Sequence, residues 1–227
     1  MHLHEERNVA QTIVNHAQEL AVDMIIMCAH GRGGVRTLLF GSIAQQVIAL
    51  GETPVYLINP SVGRSVPPVA CRRFVAPLDG NAEHAQGLAV AMELAKVCNA
   101  EVHLLMVVPT LTTLANESMA TARFLPGATA ALLDLTEDAA AHYLQHQVAE
   151  LTDHAAAIDT AVRRGDPATV IVRYARQQQA DLIVLGTHGQ SHLDAFWSGS
   201  TTLKLSARAQ MPLLLVPVRE AQPIETG

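Results

Sequence analysis

Hydrophobic residues fall into short runs separated by stretches of helical period, and the alternation is clearest over the last two thirds of the chain. Arg73–Leu78 is a short apolar run, after which Ala85, Leu88, Ala89, Met92 and Ala95 recur at the spacing of a helix buried on one face. Glu101–Val108 predicts a second strand. Beyond a long stretch from Thr110 to Leu135, Thr136 can cap a helix whose Tyr143, Leu144, Val148 and Leu151 form one apolar stripe. Ala157–Val162 predicts a third strand, ended by Gly165-Asp166-Pro167. Asp166 is a good N-cap there and Pro167 suits the first helical position, ahead of Val170, Ile171 and Tyr174. Asp181–Leu185 and Leu213–Val218 are apolar without alternation, as strands covered on both faces by helices are. This order of strands and helices predicts an open parallel α/β sheet with right-handed crossovers.

The chain also repeats itself. Asp23 and Asp181, His30-Gly31 and His188-Gly189, Gly41-Ser42 and Gly199-Ser200, and Pro54 and Pro212 are each 158 residues apart, and 13 of the 60 positions aligned at that offset are identical. The second copy spans 71–218, followed by a tail at 219–227. The first covers only 1–60, lacks a counterpart of 71–158, and therefore reads as half a domain. Ser61-Val-Gly-Arg-Ser-Val-Pro-Pro68 has linker composition, which makes 61–70 a connection. Half a domain exposes an apolar face and a sheet edge. The expected cover is pairing of the last strands, Val55–Ile58 beside Leu213–Val216, either within one chain or in a homodimer, with an unidentified protein partner as a further candidate.

Composition narrows the function. With 49% hydrophobic residues, 16% charged residues and a net charge of −6, the chain is too apolar for disorder and too acidic for a duplex-DNA binder, so no nucleic-acid partner is expected. The longest apolar runs fall far short of the roughly 20 residues that cross a bilayer. Met1–Asn8 has no apolar core of a secretory signal, and Cys28, Cys71 and Cys98 form no C-x-x-C pair. A cytoplasmic protein with reduced thiols is expected.

The strongest local signal is Gly186-Thr-His-Gly189, then nine residues, then Gly199-Ser200-Thr201, directly after an apolar strand and at the start of a helix. Glycines let a backbone approach an anion, and free N–H groups at a helix N-terminus favour phosphate. Many such loops carry glycine merely to turn. The spacing G-x2-G-x9-G-S/T nevertheless resembles the ATP-binding loop of the universal stress protein family. Cys71–Gly80 (CRRFVAPLDG), Gly165-Asp-Pro167 and Pro212 are similar to further parts of that family's pattern. The resemblance implies a five-stranded parallel sheet of order 3-2-1-4-5 with helices on both faces, here preceded by a half copy, and often a dimer or tandem pair joined through the last strands. In ATP-binding members the adenine lies near the ends of the first two strands, here Pro77, Leu78, Asp79 and Val107. Ribose and phosphates then lie along Leu185, Gly186, Gly189, Gly199, Ser200 and Thr201, with His188 within the loop. The implied ligand is ATP, alone or with Mg2+.

This chain departs from the family pattern in its loop. Gln190–Ser198 contains no Lys or Arg and holds Asp194, while Trp197 takes a place that is usually aliphatic. In the first copy Cys28 replaces the first loop glycine and the aspartate-bearing strand has no counterpart, so the nucleotide site is expected in the second copy alone. His142 and His146 share a helix face, but no carboxylate at metal-ligand spacing completes a site, and Asp79, which could act as a general base at its strand end, has no nucleophile or second acid in an obvious relation to it. The expected function is a nucleotide-binding regulatory or stress-response module with little or no turnover. The alternative is a dimerisation or protein-interaction module of the same fold that binds no nucleotide.

Overall fold

The computed structural model describes residues 9–29, 41–58, 71–81, 84–110, 126–151, 156–188 and 200–218. In chain order they form α1 (Val9–Glu19), β1 (Ile25–Cys28), α2 (Ser42–Leu50), β2 (Val55–Ile58), β3 (Arg73–Leu78), α3 (Gln86–Cys98) and β4 (Glu101–Val108). They continue with α4 (Pro126–Glu150), β5 (Ile158–Arg164), α5 (Pro167–Gln177), β6 (Leu182–His188), α6 (Ser200–Arg208) and β7 (Leu213–Val218).

All strands among the described residues join one seven-stranded sheet of order β1-β2-β7-β6-β3-β4-β5. The five strands from β7 to β5 stand in the expected order 3-2-1-4-5, but the expected sheet of five is corrected to seven. The reason is the pairing of β2 with β7, antiparallel, with Val55 opposite Leu215, Tyr56 opposite Leu214 and Leu57 opposite Leu213. The segments expected side by side are thus hydrogen-bonded within one chain, and every other strand pair is parallel.

Two apolar cores flank the sheet. Val55, Leu57, Val75, Leu105, Leu185 and Leu213 pack with α1, α2, α5 and α6 residues such as Val14, Val47, Ile171 and Leu205. Phe74, Leu104, Val184 and Leu214 pack on the other face with Leu88, Met92 and Ala95 of α3 and Leu144 of α4. Alternate residues of the strands serve opposite cores, which explains apolar runs without alternation.

Several elements of residues 9–58 and 167–218 share one displacement along the chain. Helix α1 begins at Val9 and ends at Glu19, and α5 begins at Pro167 and ends at Gln177, so both ends are displaced by the same interval that separates Asp23 from Asp181. Helices α2 and α6 are displaced by that interval too, and at the same offset β1 and β2 fall within β6 and β7.

Two element boundaries differ from the sequence reading. Helix α4 begins at Pro126, ten residues before the Thr136 cap, because the Ala-rich sequence ahead of Thr136 favours helix and proline suits its first turn. Strand β6 continues through Gly186, Thr187 and His188 instead of ending at Leu185, because β7 supplies partners as far as Val218. The start of α5 agrees with the sequence. Asp166 has extended backbone, its carboxylate accepts the Thr169 N–H at 3.0 Å, and Pro167 follows.

The Thr169 hydroxyl, bonded to Asp166 at 2.6 Å, is the main reason that this carboxyl's pKa is held below its ordinary value. Asp166→Ala is expected to cost about 1 kcal/mol in chemical denaturation at neutral pH. The folded pKa is the lower one, so the carboxylate's contribution is complete above the ordinary carboxylate range and fades as pH falls through the folded value. The gap between wild type and variant is therefore expected to close in acid; a gap unchanged with pH would deny the cap its charge.

Candidate functional site

The sheet reverses its order between β3 and β6. From β3 the chain moves outward to β4 and β5, then returns to β6 and β7 on the other side. Ligands in open α/β sheets collect at such a switch point, outside the C-terminal strand ends. Here the ladder between β3 and β6 covers only Phe74↔Leu182 and Val75↔Ile183, whereas β3–β4 pairing runs to Leu78↔Met106 and β6–β7 pairing to His188↔Val218. The two strands are held at their N-terminal ends, where the Asp181 carboxylate accepts the Arg72 and Arg73 N–H groups at 2.8 and 3.1 Å.

The turn after β3 lies across the gap. Gly80, at φ +85°, reverses the chain in a conformation that side chains rarely adopt. One oxygen of Asp79 then accepts the Asn81 N–H at 3.0 Å, and the other lies 2.6 Å from His84 Nδ1. A carboxylate can only accept, so this contact places an imidazole proton on Nδ1. The side chains of Asp79 and His84 are only 7% and 4% exposed. Tyr143 of α4 is close enough that, after burial, the Asp79 charge is the next cause raising its phenol pKa above the ordinary value. The Tyr143 hydroxyl is buried and has no hydrogen-bond partner among the described residues.

Glycine at two positions brings this turn onto the sheet. A Cβ on Gly186 would lie 2.5 Å from the His84 carbonyl oxygen, and one on Gly87 would lie 2.8 Å from the Gly186 nitrogen. Real Cβ atoms do not approach backbone so closely, so the start of α3 rests directly on the bare backbone of β6.

The structure brings some predicted site residues together and separates others. Asp79 and Gly186 meet the same turn. Leu78, 3% exposed, packs in the core under α3 and α4, while Val107 and Leu185 pack in the core on the opposite face, so these residues are walls on two sides of the sheet. Pro77 is buried at the end of β3, and His188 is the last residue of β6. Ser200 opens α6 and Thr201, in its first turn, is buried. Gly189, Gly199 and the intervening loop with Asp194 and Trp197 lie outside the described residues. His84 and Tyr143 are additions that the sequence reading missed. A histidine five residues past a strand-end aspartate, across a glycine turn, was the available signal for the first. Tyr143 read as one member of an apolar stripe.

Among the described residues no group of three or more His, Cys, Asp or Glu side chains could hold a metal ion. His142 and His146 are exposed on α4, the latter 3.6 Å from Glu150. No helix is long and apolar enough to cross a membrane among the described residues.

The pattern of the universal stress protein family matches residues 1–59 and 71–217, and the chain belongs to that family. It is 27% identical over 145 residues to the universal stress protein MJ0531 of Methanocaldococcus jannaschii, an alignment covering 64% of this chain and 81% of that protein. It is 40% identical over 58 residues to the stress response protein NhaX of Bacillus subtilis, covering 26% of this chain and only 35% of that one. The crystal structure of a universal stress protein from Archaeoglobus fulgidus superposes with a TM-score of 0.60 at 17% identity, covering 94% of this chain and 66% of that chain.

Gly186→Ala is expected to destabilise the protein by about 1–3 kcal/mol, because the atoms that the new methyl meets are all backbone of His84 and cannot swing away. Thermal melting checks this; an unchanged midpoint would show that the turn does not rest on β6.

Proposed function

We propose that this chain is a nucleotide-binding regulatory module with little or no turnover, its site lying at the β3–β6 switch point, and that residues 9–58 are the second half of another domain of the same fold. The observation that carries the reading is the parting of β3 from β6 beside a buried strand-end carboxylate. The family membership and the correspondence of elements at the repeat offset support it. Asp79, with Pro77, Leu78 and Val107 behind it, would hold the adenine. Gly186, His188 and the start of α6 at Ser200 and Thr201, with Gly189 and Gly199, would hold the ribose and phosphates of ATP. A helix N-terminus supplies free N–H donors and positive potential to such an anion. When bound, Mg2+ would offset phosphate charge. The chain itself contributes orientation and an acceptor, through the Asp79–His84 pair. A cytoplasmic setting fits this role.

One observation favours the second reading, an interaction module without a nucleotide. Both oxygens of Asp79 are already engaged, by Asn81 and His84. An adenine amino group would have to share an oxygen that already accepts from Asn81 or faces His84, so His84 competes with the ligand for that acceptor.

Calorimetric titration with ATP and with MgATP tests both readings. About one site per chain is expected, weakened at least tenfold by Asp79→Ala or Gly199→Asp, a loss of roughly 1.4 kcal/mol or more. His84→Ala is expected to strengthen binding, because it frees the carboxylate. No heat at millimolar ATP in wild type and in His84→Ala alike would abandon the nucleotide and leave the interaction module.

A further inference from the structure

The two edges of the sheet are built differently. Strand β5, at one end, reads Ile-Asp-Thr-Ala-Val-Arg-Arg and carries the charges by which edge strands resist pairing. Strand β1, at the other end, reads Ile-Ile-Met-Cys, with no charge and no proline. Its sequence is that of an interior strand.

The face of β1 repeats the contrast. Ile26, Tyr56, Leu214 and Val184 form one continuous row across β1, β2, β7 and β6. Val184 and Leu214 are 2% and 0% exposed, because α3 packs across β6 and β7. Ile26, the counterpart of Val184 in the repeat, is 65% exposed. Tyr56 is half-buried and Cys28 is exposed, where their counterparts at the same offset are the buried Leu214 and Gly186. On the opposite face Ile25 and Met27 pack against the core beneath α1 and α2, so only one face of β1 is open.

We propose that this open face and edge take a strand–helix unit of the same fold, equivalent to β3–α3 and supplied by polypeptide outside this chain. Its strand adds in parallel along β1, and its helix lies over Ile26, Cys28 and Tyr56. The occupant follows from the local two-fold relation between the antiparallel strands β2 and β7, which carries β3 and α3 onto this place. Within the chain the unit itself, residues 73–98, is already engaged on β6 and β7. Pairing of two β1 strands from two copies would satisfy the edge and still leave Ile26 in water, because only a layer over the sheet buries it. The Archaeoglobus fulgidus structure has the same fold and retains about a third of its chain beyond the match, enough for such a unit. At Gly186 the start of α3 touches bare backbone, but Cys28 presents a side chain, so the incoming helix begins farther from the sheet than α3 does.

The inference rests on the half-domain reading and is independent of any nucleotide. It is tested by joining a duplicate of residues 71–158 directly ahead of residue 1, which reproduces the spacing of the repeat, in a Cys28→Gly background that lets the duplicate's own helix seat. Hydrogen exchange at Met24–Cys28 is expected to slow at least tenfold relative to the Cys28→Gly chain alone. Ile26→Glu is expected to lower the fusion's melting midpoint by about 5 °C while leaving the chain alone unchanged. A cooperatively folded fusion with unchanged exchange would overturn the proposal. In parallel, the unmodified chain is expected to be a monomer by light scattering and to bind the dye 8-anilinonaphthalene-1-sulfonate in a manner lost in Ile26→Glu. Absence of dye binding would overturn the proposal whatever the fusion does, and a dimer split by Ile26→Glu would give the face to a second copy instead.

Discussion

Strands β3 and β6 are fastened at one end and free at the other, and the rest of the structure is arranged around that wedge. At the closed end the Asp181 carboxylate ties the backbone of β3 to β6, the Asp181 N–H bonds the Arg73 carbonyl at 2.8 Å, and Arg73 in turn reaches Glu101 and the Gln178 carbonyl. Two ladder positions later the pairing stops. The connections leaving β3 and β6 go to opposite faces, α3 to one and α6 to the other, and a sheet whose order reverses cannot close over both. The turn from Asp79 to Gly87 occupies the opening, and it fits only because Gly87 and Gly186 have no side chains.

That turn also sets the chemistry available to the site. Burying a carboxylate is costly unless it is paired and hydrogen-bonded, and Asp79 meets the requirement with its own turn and with His84. The pair holds the carboxylate in one orientation, and it competes with a ligand that arrives. Tyr143, whose buried hydroxyl lies near the same charge, adds a donor from α4 to that corner.

Much of the fold was legible because it follows from local rules. Apolar runs without alternation marked the buried strands, Asp166-Pro167 marked the start of α5, and the identities at one sequence offset anticipated that the bounds of α1 and α2 match those of α5 and α6. The pairing of Val55–Ile58 with Leu213–Val216 was legible as well, since an exposed sheet edge had to be covered. What could not be read was set by partners distant in sequence. Gly186–His188 looked like loop until β7 was there to pair with them, and the extent of α4 depended on propensity outweighing a conspicuous cap residue. At the site, Asp79 was legible from its place at a strand end, but His84 carries no periodic signal, and its approach to Asp79 is created by the turn at Gly80.

The most direct test of the central claim, that the β3–β6 opening is where a nucleotide binds, is a map of backbone amide shifts in isotopically labelled protein on addition of ATP. The account predicts that the largest changes fall on Asp79–Asn81, His84–Gly87 and Gly186–His188, the residues around the opening, with β1 and β5 unmoved. Shifts concentrated on β1, β2 or the outer face of α4, or none at saturating ATP, would contradict it.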